Sequence, residues 1–422
     1  MQFVVNGGRK LSGEIEVFGS KNAATPTIAA TILTTQPCFL SNVPKIGDVL
    51  TLLTILESMG SRINWEGEIL KIDNSNLDPA TLNMDLVRSI RSSVLLIGPM
   101  LARFGKFSFA TPGGCHIGVR PLDAHLEALK EIGVSVEYDA VSDIYELKPL
   151  SPGKLRNKVV LTEFSVTATE NLMMLGTAMP SLEIELAAAE PHVQDLGGFL
   201  EKLGFAVGGL GTHNIRISGN RNTSAAEISH SVMPDPIEAG TFMVLGALAT
   251  ESLSIRNVPV AFMVSSIKKL QQFGVDLRIT DDTVTIKNSL KNLKATKIQT
   301  LPYPGFPTDL QAPYGVLATQ SEGSSLIFDT LYEGRLRYIH ELQKMGAQAE
   351  ILDDHRAIIH GPTPLHGAEI KSLDLRAGAT LVIAALIAEG RSTLNDAEQI
   401  DRGYARLEER LRLLGAGIER IK

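Results

Sequence analysis

The chain contains little cysteine: Cys38 and Cys115 are the two cysteines among its 422 residues. Two cysteines so far apart provide neither a disulfide framework nor the ligand spacing of a structural zinc site. This usage is typical of a reducing compartment, so we expect a cytoplasmic protein. The chain also lacks a charged N-terminal segment followed by an apolar one, and it lacks a charge-free apolar run of membrane-spanning length. We therefore expect neither secretion nor a membrane partner.

A surplus of positive charge is absent as well, because the formal net charge is −7. Tyrosine and phenylalanine are scattered and form no array on which bases could stack. We therefore expect no nucleic-acid partner, and an anionic ligand would have to be bound by a few local basic residues. The sequence has no P-loop, no Gly-x-Gly-x-x-Gly after a strand, no HExxH and no paired CxxC. These absences argue against a catalytic metal, and we expect no cofactor.

What the sequence does contain is a sixfold repeat. Each repeat has an apolar, alanine-rich segment, a short β-rich run, a charged amphipathic segment that ends in an apolar residue and glycine, and another alternating run. The closing dipeptides are Met59-Gly60, Ile132-Gly133, Leu203-Gly204, Phe273-Gly274, Met345-Gly346 and Leu414-Gly415. Successive glycines of this set are 73, 71, 70, 72 and 69 residues apart. Such even spacing indicates internal duplication, and each glycine is the expected left-handed stop after a helix.

The first and fourth repeats are the most alike. The segment 28–33 leads to Asn42-Val43-Pro44, and the segment 244–249 leads to Asn257-Val258-Pro259. Each repeat is expected to fold as helix, strand, helix, strand, with a buried first helix and a second helix that has one wet face. Six repeats therefore predict an α/β protein of two domains, with helices inside and sheets outside. The break should follow the third repeat, where 220–224 is polar and turn-like.

A glycine-rich stretch, 112–123, contains the residues that look best suited to chemistry. Its three glycines make a loop with little steric bulk around Cys115. Arg120, fixed before a proline, offers planar donors for a phosphate or carboxylate. Asp123 and His125 follow as a helix begins. The stretch is either an active-site lid or a surface loop with an incidental cysteine.

Other basic residues lie at the edges of repeats. Lys21 opens the first helix beside Asn22, where its ammonium and the free backbone amides could bind an anion. A solvated lysine in a turn is the plainer alternative. Arg91 precedes an apolar helix in the same way. Arg402 lies in the loop of the last repeat that corresponds to the loop of Arg120, so arginines from two domains could face one cleft.

Two aspartates show a similar placement. Asp309 and Asp374 stand at the starts of the helices of the fifth and sixth repeats. Capping a helix N-terminus is the common use of such aspartates, and it is the stronger interpretation for Asp374. It is weaker for Asp309, where Pro304 and Pro307 fix the approach of the chain.

Several of these stretches resemble the UDP-N-acetylglucosamine 1-carboxyvinyltransferase family of enolpyruvyl transferases, nearly from end to end. The matching motifs are Gly19-Ser20-Lys21-Asn22-Ala23, Arg91-Ser92-Ser93, Pro112-Gly113-Gly114-Cys115, Arg120-Pro121-Leu122-Asp123-Ala124-His125, Phe306-Pro307-Thr308-Asp309, Asp374-Leu375-Arg376-Ala377 and Ile400-Asp401-Arg402-Gly403-Tyr404. The resemblance implies two inverted α/β domains, each of three repeated units with pseudo-threefold symmetry. It implies one domain at 21–230, which includes the cysteine loop, and a second formed by 1–20 with 231–422. The active site is expected in the cleft between them.

The resemblance also implies an activity, the transfer of enolpyruvate from phosphoenolpyruvate to the 3-hydroxyl of UDP-N-acetylglucosamine, which begins peptidoglycan precursor synthesis. Its implied catalytic residues are Cys115, Asp309, Lys21, Arg402 and Asp374. Its implied substrate contacts are Lys21, Asn22, Arg91, Arg120, Pro121, Leu122, Asp123, Ala124, His125, Ser165, Val166, Asp309 and Leu331. Among these, Asp309 resembles the base that deprotonates the hydroxyl, and Cys115 resembles the cysteine assigned to acid work or product release.

The chain departs from the family pattern on the nucleotide side. Thr167 replaces a glycine, which would make a positive φ costly there, and Glu163 stands where a lysine can occur. Ser231 and Pro236 replace common arginines. Two alternatives follow: a weakly active paralogue that binds UDP-sugar for regulation, or another enolpyruvyl transferase such as the shikimate-pathway enzyme.

Overall fold

A computed structural model describes residues 1–113, 122–149, 155–219 and 227–421. The helices of these residues are α1 Lys21–Ala30, α2 Gly47–Ser58, α3 Met84–Ser89, α4 Ile97–Phe104, α5 Asp123–Ile132, α6 Val166–Gly176, α7 Pro191–Lys202, α8 Pro236–Ala249, α9 Val264–Phe273, α10 Gln311–Thr319, α11 Tyr338–Lys344, α12 Leu375–Ile387 and α13 Leu407–Leu413. The strands are β1 Gln2–Asn6, β2 Leu11–Glu16, β3 Cys38–Ser41, β4 Arg62–Glu66, β5 Ile69–Asp73, β6 Phe107–Ala110, β7 Val134–Asp139, β8 Ile144–Pro149, β9 Lys158–Val160, β10 Leu182–Glu185, β11 Ala206–Gly208, β12 Asn214–Ser218, β13 Ile228–Ser231, β14 Thr250–Arg256, β15 Leu277–Thr280, β16 Thr283–Lys287, β17 Ile298–Gln299, β18 Gly323–Phe328, β19 Gln348–Ile351, β20 Arg356–Gly361, β21 Glu369–Lys371, β22 Arg391–Asn395 and β23 Gly417–Ile421.

The chain divides into two compact units, with breaks at Phe18–Gly19 and Met233–Pro234. The unit that begins at Gly19 and ends at Met233 contains the sheets β13-β3-β5-β4, β6-β8-β7 and β11-β12-β10-β9. The other unit joins the N-terminal strands to the C-terminal half and contains the sheets β21-β22-β1-β23, β15-β16-β14-β2 and β17-β18-β20-β19. The predicted α/β fold class is confirmed.

The first helix of each repeat lies inside its unit, as predicted. In the C-terminal unit α12 packs on α8 and α10, which also pack on each other. Nearly every residue of α8 is buried, in line with its continuous apolar sequence. Gly246 lets this helix approach β16, since a Cβ at that position would lie 3.1 Å from Cβ of Ile286.

The second helix of each repeat ends at the predicted glycine. Helices α2, α5, α7, α9, α11 and α13 are each followed within two residues by a glycine with φ between +88° and +101°. These are the residues Gly60, Gly133, Gly204, Gly274, Gly346 and Gly415. The left-handed conformation favours glycine because it has no Cβ to clash with the following carbonyl. The sixfold repeat read from these glycines is therefore confirmed in the folded chain.

The prediction of one strand after each second helix is wrong for the first five repeats. An antiparallel hairpin follows there instead, for example β4 with β5, where the residues between the strands are Gly67 and Glu68. Because the turn has only two residues, the alternation of apolar and polar residues continues almost unbroken through it, and the sequence pattern suggests one strand instead of two. In the last repeat β23 pairs with β1, and β1 also pairs with β22. The N-terminal strand thus completes the sheet of the sixth repeat.

None of the helices in the described residues is long and apolar enough to cross a membrane.

Candidate functional site

The carboxylate of Asp309 lies between two arginines in the C-terminal unit. Asp309 is in a 3-10 turn, Thr308–Leu310, that directly precedes α10. Its Oδ2 accepts a hydrogen bond of 3.2 Å from Nε of Arg376, and its Oδ1 accepts one from Arg335. The side chains of Arg335 and Arg376 are 10% and 3% exposed, against 21% for Asp309. The part of this cluster that faces solvent is therefore the carboxylate.

The two guanidinium groups keep their charge in this setting. Burial opposes the charge of Arg335, yet the carboxylates of Asp309 and Asp374 raise its pKa. Arg376 also lies 3.8 Å from the carboxylate of Asp235 and over the ring of Tyr404, 5.3 Å from its centroid. The cluster thus holds two permanent cations against the carboxylate of Asp309.

Asp374 fixes the helix that presents Arg376. Its Oδ1 accepts hydrogen bonds of 2.7 Å from the backbone N–H of Arg376 and of 3.0 Å from that of Ala377. The capping interpretation is therefore confirmed for Asp374. It is wrong for Asp309, because Leu310 holds the cap position of α10 and the carboxylate of Asp309 contacts the two arginines instead.

A second carboxylate links the Asp309 turn to Leu331. Asp329 accepts a hydrogen bond of 2.6 Å from Oγ1 of Thr308 and one of 3.0 Å from the backbone N–H of Leu331. The predicted site residues Asp309 and Leu331 are thus held by adjacent segments. Leu331 is 40% exposed, so its side chain is accessible to a ligand.

In the other unit, Lys21 pairs with a buried aspartate. Its Nζ lies 2.8 Å from Oδ2 of Asp48, whose side chain is 4% exposed. Lys21 and Asn22 are in the first turn of α1, and Ser20 at the cap position makes no side-chain hydrogen bond to that turn. The first turn of α1 therefore has no side-chain cap, which is compatible with the anion-site interpretation.

The helix expected from Asp123 onward is present as α5. His125 is buried, and its Nε2 shares a hydrogen bond of 2.8 Å with Oγ1 of Thr167. Thr167 lies in the first turn of α6, after Ser165 at the cap position and Val166. The expected conflict with positive φ does not arise because Thr167 is helical. Its hydroxyl instead ties α6 to α5.

The remaining predicted residues have separate surroundings. Leu122 and Ala124 are buried at the start of α5, where Asp123 is exposed. Arg91 begins the 3-10 segment Arg91–Leu96. Arg402 ends the 3-10 segment Ala397–Arg402, and its Nη1 donates a hydrogen bond of 3.3 Å to Oε1 of Gln399. Cys115, Arg120 and Pro121 lie outside the described residues, as does the predicted break at 220–224.

The structure also shows where the other departures from the family pattern lie. Pro236 occupies the first position of α8, directly after the capping residue Asp235, where proline fits a helix well. Ser231 ends β13 and Glu163 is exposed. In the described part of the chain, no group of three or more histidine, cysteine, aspartate or glutamate residues could hold a metal ion.

The hydrogen bond between Thr167 and His125 gives a testable stability contribution. Thr167→Val keeps the branched shape but leaves a buried imidazole nitrogen without this partner, so we expect the free energy of unfolding to fall by about 1–2 kcal/mol. Thr167→Ser retains a hydroxyl and serves as the matched control, with a smaller loss. Urea unfolding followed by circular dichroism measures both. Equal stability of the valine and native proteins would show that the bond contributes nothing.

Sequence reasoning missed Arg335 and gave no role to Arg376. Arg376 stands inside a motif that was singled out for Asp374, so that motif contained the signal. Arg335 is 26 residues from Asp309 along the chain, and no periodicity links the two. Their contact depends on how the segments after β17 and β18 fold back on each other.

Comparison with known proteins agrees with this architecture. A family model described as EPSP synthase (3-phosphoshikimate 1-carboxyvinyltransferase) matches residues 5–411. The chain is 40% identical to a UDP-N-acetylglucosamine 1-carboxyvinyltransferase of Halothermothrix orenii, with all of both chains covered. It is also 40% identical to one of Finegoldia magna, covering 98% of this chain and 97% of the relative.

Solved structures show the same fold. The enolpyruvyl transferase NikO from Streptomyces tendae superposes with a TM-score of 0.88 at 26% identity, covering 99% of this chain and 98% of the other. An EPSP synthase from Acinetobacter baumannii superposes with a TM-score of 0.75 at 20% identity over the whole of both chains. The similarity at 20% identity concerns the fold alone.

Proposed function

This chain belongs to the EPSP synthase family of enolpyruvyl transferases, and we propose that it transfers enolpyruvate from phosphoenolpyruvate to the 3-hydroxyl of UDP-N-acetylglucosamine, with release of phosphate. The observation that carries the chemistry is the carboxylate of Asp309 between the buried guanidinium groups of Arg335 and Arg376. The full-length relatives at 40% identity support the choice of sugar nucleotide. The reaction begins peptidoglycan precursor synthesis, on which cell-wall growth, shape and division depend, and it takes place in the cytoplasm.

The charges of phosphoenolpyruvate require several fixed cations, since the substrate has both a phosphate and a carboxylate. Lys21 supplies one beside the uncapped start of α1, and Arg120 and Arg402 supply two more. Arg335 and Arg376 add guanidinium groups near Asp309.

The reaction is an addition followed by an elimination. The sugar 3-oxygen forms a bond to C2 of phosphoenolpyruvate while its proton passes to Asp309, and the methylene carbon C3 gains a proton from the thiol of Cys115. A tetrahedral intermediate results. C3 then loses a proton, the double bond forms again, and the bond between C2 and the phosphate oxygen breaks. Asp374 uses Oδ1 for capping, which leaves Oδ2 for a proton in the second step.

The proposed contacts of the sugar nucleotide are Asn22, Arg91, Arg120, Pro121, Leu122, Asp123, Ala124, His125, Ser165, Val166, Asp309 and Leu331. The hydrogen bond between His125 and Thr167 joins α5 to α6. The proposed contacts Asp123, Ala124 and His125 lie in α5, and Ser165 and Val166 lie at the start of α6. A preorganised surface of this kind lowers the cost of ordering side chains on binding.

A phosphate-release assay tests the proposal. Release is expected with phosphoenolpyruvate and UDP-N-acetylglucosamine together, and background release when either is omitted. Replacing the sugar nucleotide by shikimate 3-phosphate should also give background. Phosphate release from phosphoenolpyruvate with shikimate 3-phosphate, but not with UDP-N-acetylglucosamine, would assign the shikimate-pathway reaction. Tight binding of the UDP-sugar without turnover would assign a regulatory role.

The cysteine assignment predicts a clean labelling result. Burial raises the pKa of the Cys38 thiol to about 12, so Cys38 is neutral and inaccessible at neutral pH. An epoxide mimic of phosphoenolpyruvate should therefore label the native protein once, and Cys115→Ala should abolish the label. Cys38→Ala is the control and should still be labelled. A label that persists in Cys115→Ala, located by peptide mass spectrometry, would show that a different nucleophile reacts.

A further inference from the structure

A basic cavity that opens to solvent lies in the C-terminal unit, next to the segment that leads to Asp309. It has a volume of about 350 Å³ and lies between one face of α9 and the strand β17. The lining residues are Ser265, Lys268, Lys269, Gln272, Lys297, Gln299 and Phe306. Its volume is within the range of small-molecule sites, which is roughly 300–1,000 Å³. Apart from the aromatic ring of Phe306, these side chains are hydrogen-bond donors at neutral pH.

The three lysines concentrate like charge in a protein that is acidic overall. No carboxylate pairs with Lys268, Lys269 or Lys297 in any ion pair found among the described residues, although the chain has 47 acidic residues for 40 basic ones. Nζ of Lys269 donates a hydrogen bond of 2.7 Å to the carbonyl oxygen of Lys297, which holds the two residues together. Burial and the charge of Lys297 both lower the pKa of Lys269. A bound anion would relieve this repulsion.

From this arrangement we propose that the cavity binds a small phosphorylated molecule through Lys268, Lys269 and Lys297. Ammonium groups on two facing elements can contact the oxygens of one phosphate from different sides, and the amides of Gln272 and Gln299 add neutral donors. The inference about this cavity does not rest on the proposed enolpyruvyl transfer. No residue of the cavity belongs to the proposed catalytic or substrate-binding set.

Occupation of the cavity would also affect the turn that carries Asp309. Phe306 forms part of the wall and stands three residues before Asp309. Oγ of Ser265 donates a hydrogen bond of 3.0 Å to the carbonyl oxygen of Gly305, which fastens this wall to α9. The ring of Phe306 packs edge-on against Tyr314 of α10, with the centroids 4.8 Å apart. A ligand between α9 and β17 would therefore contact Phe306, in the segment that leads to Asp309.

Pyridoxal 5′-phosphate is the probe that tests the site residue by residue. Nζ of a lysine attacks its aldehyde carbon and water leaves, and borohydride then reduces the imine to a stable amine that peptide mass spectrometry locates. We expect Lys268, Lys269 or Lys297 to be labelled at a pyridoxal 5′-phosphate concentration about tenfold or more below that needed to label Lys287, an exposed lysine of the same unit. Inorganic pyrophosphate should protect them. Pyridoxal, which lacks the phosphate, should not show this preference.

Variants separate phosphate binding from the intrinsic reactivity of a partly buried amine. In Lys268→Ala/Lys297→Ala the preference of Lys269 for the phosphorylated probe should fall about tenfold or more, whereas Lys287→Ala leaves it unchanged. Labelling of Lys269 equally by pyridoxal and its phosphate, or labelling that pyrophosphate does not reduce, would overturn the proposal. Protection in the native protein decides the question even if the double variant fails to fold.

Discussion

Replacing Asp309 with asparagine is expected to lower turnover by about a hundredfold or more, because the substituted amide cannot accept the proton of the sugar hydroxyl. The change preserves the size of the side chain but removes the negative charge between Arg335 and Arg376. The two buried guanidinium groups then lose their shared counter-ion. Substrate anions should therefore still bind, while the chemical step is lost.

Steady-state phosphate release measures this effect, with kcat reported separately from KM. Asp354→Asn is the matched control, since Asp354 is exposed and belongs to the same unit. Thermal unfolding and binding of UDP-N-acetylglucosamine show that the Asp309→Asn protein is folded. A kcat near that of the native enzyme would remove Asp309 from the role of base.

The second large effect is on stability and concerns Arg410. Its guanidinium forms a two-pronged pair with Glu238, at 2.6 Å and 3.1 Å, and stacks over the ring of Phe18 at 4.0 Å. It also donates to the carbonyl oxygen of Glu16, and Glu238 accepts a hydrogen bond of 2.8 Å from the backbone N–H of Phe18. The N-terminal segment is thereby fastened to α8 and α13. Arg410→Met leaves a buried carboxylate unpaired, so we expect a loss of about 3–5 kcal/mol.

Chemical denaturation of Arg410→Met against Arg278→Met measures this contribution. Arg278 is an exposed arginine of β15, and its replacement should change the free energy of unfolding by less than about 0.5 kcal/mol. Arg410→Met/Glu238→Leu removes both charges and should recover part of the loss, because no buried charge then lacks a partner. If Arg410→Met unfolds at the same denaturant concentration as the control, the buried pair does not hold the N-terminal segment.

Features specified by local chemistry could be predicted from the sequence. The six helix-ending glycines have positive φ, and Asp374 caps α12 through its own side chain. Both depend on residues a few positions apart, where the backbone requirement selects one or two residue types. The buried first helices follow for a similar reason, because an apolar sequence without a wet face can only lie inside.

Features that depend on distant contacts could not be predicted. The residue pattern of β1 does not say which unit it completes, and only the family resemblance assigned it to the second. Its position between β22 and β23 depends on pairing with residues 385–419 positions away. The contact of Arg335 with Asp309 is of the same kind. Thr167 was expected to be a strained replacement for glycine, but the local helix gives it an ordinary conformation and His125 gives its hydroxyl a partner.

The identity of the reaction product tests the central claim most directly. After incubation of the native chain with phosphoenolpyruvate and UDP-N-acetylglucosamine, nuclear magnetic resonance of the purified nucleotide should show an enolpyruvyl ether at the 3-oxygen of the sugar, in an amount equal to the phosphate released. Unmodified UDP-N-acetylglucosamine, with phosphate either absent or derived from hydrolysis of phosphoenolpyruvate to pyruvate, would contradict it.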